Sequence, residues 1–206
     1  MIAGQEYRKL DWTLVLVYLV LTVIGWVSIF SAVYDEEHAT IFDLSQRYGM
    51  QFIWMVTSYV IAFAILFLIN PKIYDTLSGL IYGGSLLLLV AVIFLGIEVN
   101  GSRSWFEFGP VRFQPAELSK IATTIALASL MSKYGFQLRS PSGIIRTTLI
   151  IMVPVLLIIM QKETGSALVY SAFIFMLYRE GMSGWFLAVG FLAIVLFLVT
   201  LGISFF

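Results

Sequence analysis

The chain has 206 residues, 60% of them hydrophobic and only 12% charged, with 12 Lys and Arg balancing 12 Asp and Glu. A soluble domain covers its core with charge, and a mean hydropathy of +0.97 leaves too little for that. Zero net charge argues against a nucleic-acid partner, zero cysteines exclude disulfides and thiolate metal sites, and a single histidine, His38, argues against a zinc cluster.

Apolar runs of about 20 residues, the length of one helical crossing of a bilayer, recur along the chain. The first, "WTLVLVYLVLTVIGWVSIFSAV" at 12–33, is longer than the core of a cleavable signal and reads as a transmembrane helix that also directs insertion. The second and third are predicted at 52–69 and 77–97, separated by Asn70-Pro71. A Gly- and Pro-rich stretch at 100–115 leads into a fourth at 115–133, and "RSPSG" at 139–143 precedes a fifth at 144–160. The sixth, 164–178, and the seventh, 185–206, are separated by "REGMSG" at 179–184. Helices are the only spanning element expected, because ten-residue alternating strands are absent and lipid-facing backbone must be satisfied internally. No polar linker divides the chain, so residues 1–206 read as a single transmembrane domain.

Lys and Arg in alternate loops set the orientation. With the N-terminus in the cytoplasm, the inner segments carry seven (Arg8, Lys9, Lys72, Lys133, Arg139, Arg146, Arg179) and the outer ones four (Arg47, Arg103, Arg112, Lys162), Lys120 being within a helix. The acidic run Asp35, Glu36, Glu37 then faces outward. A seventh crossing that starts inside ends outside on a bare "LVTLGISFF", the expectation for a truncated or partial chain.

The candidate site is "VRFQPAELSKIATT", 111–124, which places Glu117 and Lys120 inside an apolar segment. Pro115 suits the first helical position, Gln114 falls at the cap, and Glu117 falls in the first turn, where the helix dipole favours an acid. Lys120 lies about 8 Å along the helix from its start, so neither charge is at the bilayer centre. A local ion pair accounts for i, i+3 spacing, while intramembrane charges mark functional sites by default. Ser119, Ala122, Ala126 and Ser129 form a small-residue stripe that predicts close helix packing, leaving Glu117, Lys120 and Thr124 to line a polar cavity open to the outside. Arg103 and Arg112 flank Trp105. Each reads either as a phosphate contact, through its planar fork, or as an interfacial side chain beside an aromatic belt. In "QKETGSALVY", 161–170, Glu163 either caps the sixth helix or adds a second acid to the same cavity.

"GSRSWFEFGPVRFQPAELSK" resembles the loop-to-helix-four signature of the SEDS family (shape, elongation, division and sporulation proteins). "QKETGSALV" resembles that family's next signature, and "KLDWTLVLVYLVLTVIGWVSIFSA" resembles the opening of its RodA branch more than of its FtsW branch. The resemblance implies an all-α polytopic membrane protein whose seven helices correspond to the first part of a ten-helix fold. It implies a multi-pass protein of the bacterial inner membrane, a rod-shape-determining peptidoglycan glycosyltransferase that polymerises lipid II, the undecaprenyl-pyrophosphate-linked disaccharide. Its implied partner is a class B penicillin-binding protein. Arg112, Gln114, Glu117 and Lys120 match positions lining or supporting the family's central cavity, and Gly101, Arg103 and Trp105 match the start of the loop signature.

Two departures stand out. Ser104 occupies the place of a frequent second arginine, and Gln161-Lys162-Glu163 replaces the usual Gln-Pro-Asp. The family's catalytic aspartate is implied in an outer loop beyond Phe206, so the 206 residues alone are not expected to polymerise lipid II. No cofactor is identified, and a divalent cation accompanying the pyrophosphate stays open. The competing readings are a lipid-linked precursor flippase or transporter, for which buried charges are equally natural, and a non-catalytic membrane scaffold for the transpeptidase.

Overall fold

The computed structural model describes residues 11–34, 40–99, 101–109, 111–186, 188–192 and 195. Arg8, Lys9, the acidic run 35–37, His38 and the last residues of the predicted seventh crossing lie outside that set. Two compact units divide the chain, Met1–Asn70 and Pro71–Phe206.

The first unit pairs α1 (Trp12–Ala32) with α2 (Arg47–Phe67). Asp11 caps α1, its Oδ1 accepting from the backbone N–H groups of Thr13 and Leu14 at 3.0 and 3.2 Å, which satisfies two of the donors a helix start leaves unpaired. Aromatic side chains join the two helices. Trp26 Nε1 donates to the Tyr48 carbonyl oxygen at 2.8 Å, and the rings of Phe30 and Tyr48 meet edge to face at 5.0 Å. Deeper along the pair, the hydroxyls of Thr22 and Tyr59 hydrogen-bond. Gly49 is required here: a Cβ would lie 2.0 Å from the Asp43 carbonyl oxygen, where the preceding loop crosses the start of α2.

The second unit begins with α3 (Pro71–Leu95) and continues through three short strands, β1 (Ile97–Val99), β2 (Ser102–Phe108) and β3 (Val111–Phe113). It then runs through α4 (Pro115–Ser132), α5 (Pro141–Met160), α6 (Thr164–Val169) and α7 (Ala172–Arg179), with helix resuming at Gly184. The fold is mostly helical. Among the described residues four helices, α1, α2, the 72–95 part of α3, and α5, are long and apolar enough to cross a membrane.

The structure corrects several sequence expectations. Helix α2 starts at Arg47 rather than 52, α3 at Pro71 rather than 77, and α5 at Pro141 rather than 144. In each case polar residues in the first turns lower hydropathy without stopping the helix. The predicted sixth crossing, 164–178, is two pieces. At the junction Tyr170 and Ser171 donate to carbonyls three residues back, Ala167 and Leu168, and Phe173 and Ile174 repeat that tight pattern. The stretch between α3 and α4 holds a three-stranded antiparallel sheet in the order β1-β2-β3. Strands of three to seven residues are far too short to span a bilayer, so the argument against spanning strands did not bear on them.

Packing between these helices relies on close contact and polar bonds, since lipid is as apolar as leucine. The small-residue stripe of α4 behaves as expected: Ser119, Ala122, Ala126 and Ser129 are all buried, and α4 packs chiefly along α3. Ser129 Oγ donates to Asp75 Oδ1 at 2.6 Å across that interface. Pro154, inside α5, has no N–H for the Ile150 carbonyl oxygen, and the Tyr82 hydroxyl of α3 donates to it at 3.0 Å instead. Tyr82→Phe leaves that carbonyl unpaired and is expected to lower stability by about 1–2 kcal/mol, measured as a fall in the thermal midpoint in detergent. An unchanged midpoint would show that the carbonyl finds another donor.

Candidate functional site

The hairpin, the start of α4 and the α5–α6 turn meet at one end of the second unit. Gly101, at φ 80, closes the β1–β2 turn in a backbone region open to glycine. The register then sets Glu98 opposite Arg103 and Glu107 opposite Arg112. Cross-strand pairs of opposite charge stabilise a hairpin modestly. Arg112 is accordingly ion-paired with Glu107 at 3.3 Å, and both side chains are well exposed. Alternation along β2 sends Ser104 inward, where it is fully buried. A second arginine there would need its charge compensated in the interior. The hairpin is stapled to the turn after α5 by one carbonyl: Gln161 O accepts from Ser102 Oγ at 3.0 Å and from the Arg103 N–H at 3.3 Å.

Gln114 stands at the cap of α4, but its side chain makes no cap hydrogen bond. It reaches instead across to Glu163, its Nε2 donating to Oε1. Glu163 likewise stands at the cap of α6 without a side-chain cap bond; both residues occupy cap positions, and their side chains bond each other instead of the helix starts. Below them, Lys120 Nζ bonds Glu117 Oε1 at 2.7 Å, with side-chain exposures of 22% and 59%. Thr124 turns its hydroxyl back to the Lys120 carbonyl oxygen.

Glu163 is half-buried and its Oε2 has no hydrogen-bond partner at normal distance. Burial is the main reason its pKa is raised; the hydroxyls of Ser166 and Ser104 pull it back, Glu117 pushes it up and Lys120 pulls it down. Gln114, Glu117, Lys120 and Glu163 therefore form one electrostatic cluster, in which two acids share one cation. Arg112 is held by Glu107 instead, and Arg103 lines a separate pocket with Lys162. In the sequence Lys162 entered only the loop charge count and the departure from proline. Its φ of 61 is one that proline's ring forbids, so this turn requires a residue other than proline. The alternation in "SRSWFEF" was the available signal for the hairpin and the Glu107–Arg112 pair.

The raised pKa means the folded state holds the Glu163 proton more tightly than the unfolded chain does. That contribution is complete below the ordinary glutamate value of about 4.3 and is lost as pH rises through the folded value. Glu163→Gln does not titrate. Its thermal midpoint is therefore expected to improve relative to wild type as pH rises through that window, modestly because solvent screens the group. A difference that shrinks as pH rises would contradict the direction.

Helices of membrane-crossing length in both units, and in the second a cluster of two acids, a lysine and a glutamine beside a short hairpin, point to a multi-pass membrane protein with a polar site at a helix start. The chain belongs to the cell cycle protein family of FtsW, RodA and SpoVE, whose family model matches residues 11–205. A probable peptidoglycan glycosyltransferase FtsW from Saccharophagus degradans is 29% identical over 175 residues, covering 82% of this chain and 44% of the relative. The crystal structure of the rod-shape-determining protein RodA from Thermus thermophilus superimposes with a TM-score of 0.76 at 30% identity, over 92% of this chain and 60% of that one. A chain from a peptidoglycan synthase complex that coordinates polymerization and crosslinking matches with a TM-score of 0.75 at 29% identity, over 93% and 54%. The chain thus spans about half the length of the relatives it matches.

Proposed function

We propose that the intact protein polymerises lipid II into peptidoglycan at the outer face of the bacterial inner membrane, with its N-terminus in the cytoplasm. The observation that carries this is the convergence of Gln114, Glu117, Lys120 and Glu163 at one helix start in a chain of this family. In the proposed reaction an acceptor sugar hydroxyl displaces undecaprenyl pyrophosphate from the donor. Lys120 is the cation of the cluster that stabilises the charge developing on the leaving pyrophosphate. Neither acid presents a free base. Glu117 is ion-paired with Lys120, and Glu163 is engaged by Gln114 through one oxygen and buried at the other. The proton is therefore taken by a group outside this cluster, in keeping with the aspartate the family resemblance implies.

An elongation role is supported by the RodA-like opening residues, against relatives that mostly bear the FtsW name. A class B penicillin-binding protein as partner is supported by the likeness to a chain of a synthase complex. The broken helix at Tyr170–Ser171 favours a second reading, lipid II transport, because interrupted membrane helices recur at transport sites. Vesicles carrying the intact protein and labelled lipid II separate the two. Polymer formed without lipid II crossing supports the polymerase, and lipid II crossing without polymer overturns it.

A further inference from the structure

A pocket of about 200 Å³ opens at the hairpin end of the second unit, and none of Gln114, Glu117, Lys120 or Glu163 lines it. Its polar wall is Glu98, Arg103, Gln161 and Lys162, and its apolar wall comes from Ile93 and Met160. Among the described residues neither Arg103 nor Lys162 is ion-paired. With Glu98 opposite Arg103 in the strand register, the pocket carries one net positive charge. Gln161 is 2% exposed; its Nε2 donates to the Leu89 carbonyl oxygen at 3.0 Å, yet its Oε1 is buried without a partner. Two cations without a carboxylate partner at one pocket call for a ligand that brings an anionic oxygen. Lys162 is fixed there by its backbone: φ is 61, and its N–H donates to the Ile159 carbonyl oxygen at 2.9 Å. Left-handed backbone at a lysine is strain of the kind that persists where the surroundings over-determine it, often at ligand clamps.

We propose that this pocket is a second anion subsite, binding the phosphate ester of a headgroup, with Arg103 and Lys162 as its cationic contacts. The ligand is either a lipid headgroup resident in the bilayer or a phosphate reaching the pocket from solution. Binding does not depend on polymerisation, so this proposal and the functional reading fail separately.

The test uses the intact protein in phosphatidylcholine nanodiscs, with inorganic pyrophosphate titrated in one arm and phosphatidylglycerol doped into the disc in the other. Lys162→Asn removes the charge while suiting the left-handed backbone, so it is expected to fold at least as well as wild type. Lys162→Asn and Arg103→Gln are each expected to weaken binding about tenfold at low salt, and Glu98→Gln to strengthen it. Lys162→Arg is expected to retain it. Charge-dependent loss in the pyrophosphate arm assigns a soluble phosphate, and loss in the lipid arm alone assigns a headgroup. Binding unchanged in Lys162→Asn and Arg103→Gln, or absent in both arms, would overturn the subsite.

Discussion

Replacing Glu117 by Gln and Lys120 by Met together in the intact protein is expected to lower lipid II polymerisation by about a hundredfold or more, with the protein still folded and inserted. The magnitude separates a structural pair from a functional one. An i, i+3 ion pair with one exposed member contributes about 0.5 kcal/mol or less to a helix. A hundredfold rate loss corresponds to about 2.7 kcal/mol, which such a pair does not supply through stability. Lys120→Met alone removes the cation that both Glu117 and Glu163 face, so it is expected to cost nearly as much as the double change. Glycan strand length and yield, resolved on gels beside a folding control, provide the measurement. Wild-type polymerisation in the double variant would reduce the pair to a local helix feature.

The second large effect is expected from Ala116→Phe. Ala116 is fully buried where α3, α4, α5 and α6 meet, packed with Leu89, Ile158, Ala167 and Tyr170. Lipid offers no reward for burying a larger apolar side chain. The ring must therefore push the helices apart, at a cost of about 1–3 kcal/mol. The same displacement separates Gln114 from Glu163 and strains the Ser119–Tyr170 hydroxyl contact of 2.7 Å, which ties the first turns of α4 to the α6–α7 break. Thermal midpoint and activity are expected to fall together, whereas Ala116→Gly is expected to lower the midpoint and spare most of the activity. A stable but fully active Ala116→Phe protein would show that the site tolerates a shifted α4.

What the sequence disclosed, and what it did not, follows from the range of each interaction. Apolar runs announced α1, α2, α3 and α5 because crossing a bilayer is a demand on composition alone. The extra first turns at Arg47, Pro71 and Pro141 escaped notice because interfacial residues are polar and helical at once. Pro115 and Glu117 were legible from local helix-end chemistry, and so was the Glu117–Lys120 pair. Gln114 stands at the predicted cap position, but its side-chain partner lies 49 residues along the chain and nothing local announces Glu163. The break at Tyr170 was hidden in an evenly apolar stretch. Its tight turn is supported by the buried Tyr170 hydroxyl on Ser119, a contact between two helices.

The cluster at the start of α4 stands as one functional unit or as two unrelated pairs, and a double-mutant cycle on lipid II turnover by the intact protein decides between them. One arm neutralises Glu117 and Lys120, the other replaces Gln114 and Glu163 by Leu, and the fourth corner carries all four changes. If the four side chains act together, the combined loss is expected to be little greater than the larger of the two separate losses. Losses that multiply, each pair contributing its full factor independently, would contradict a single site.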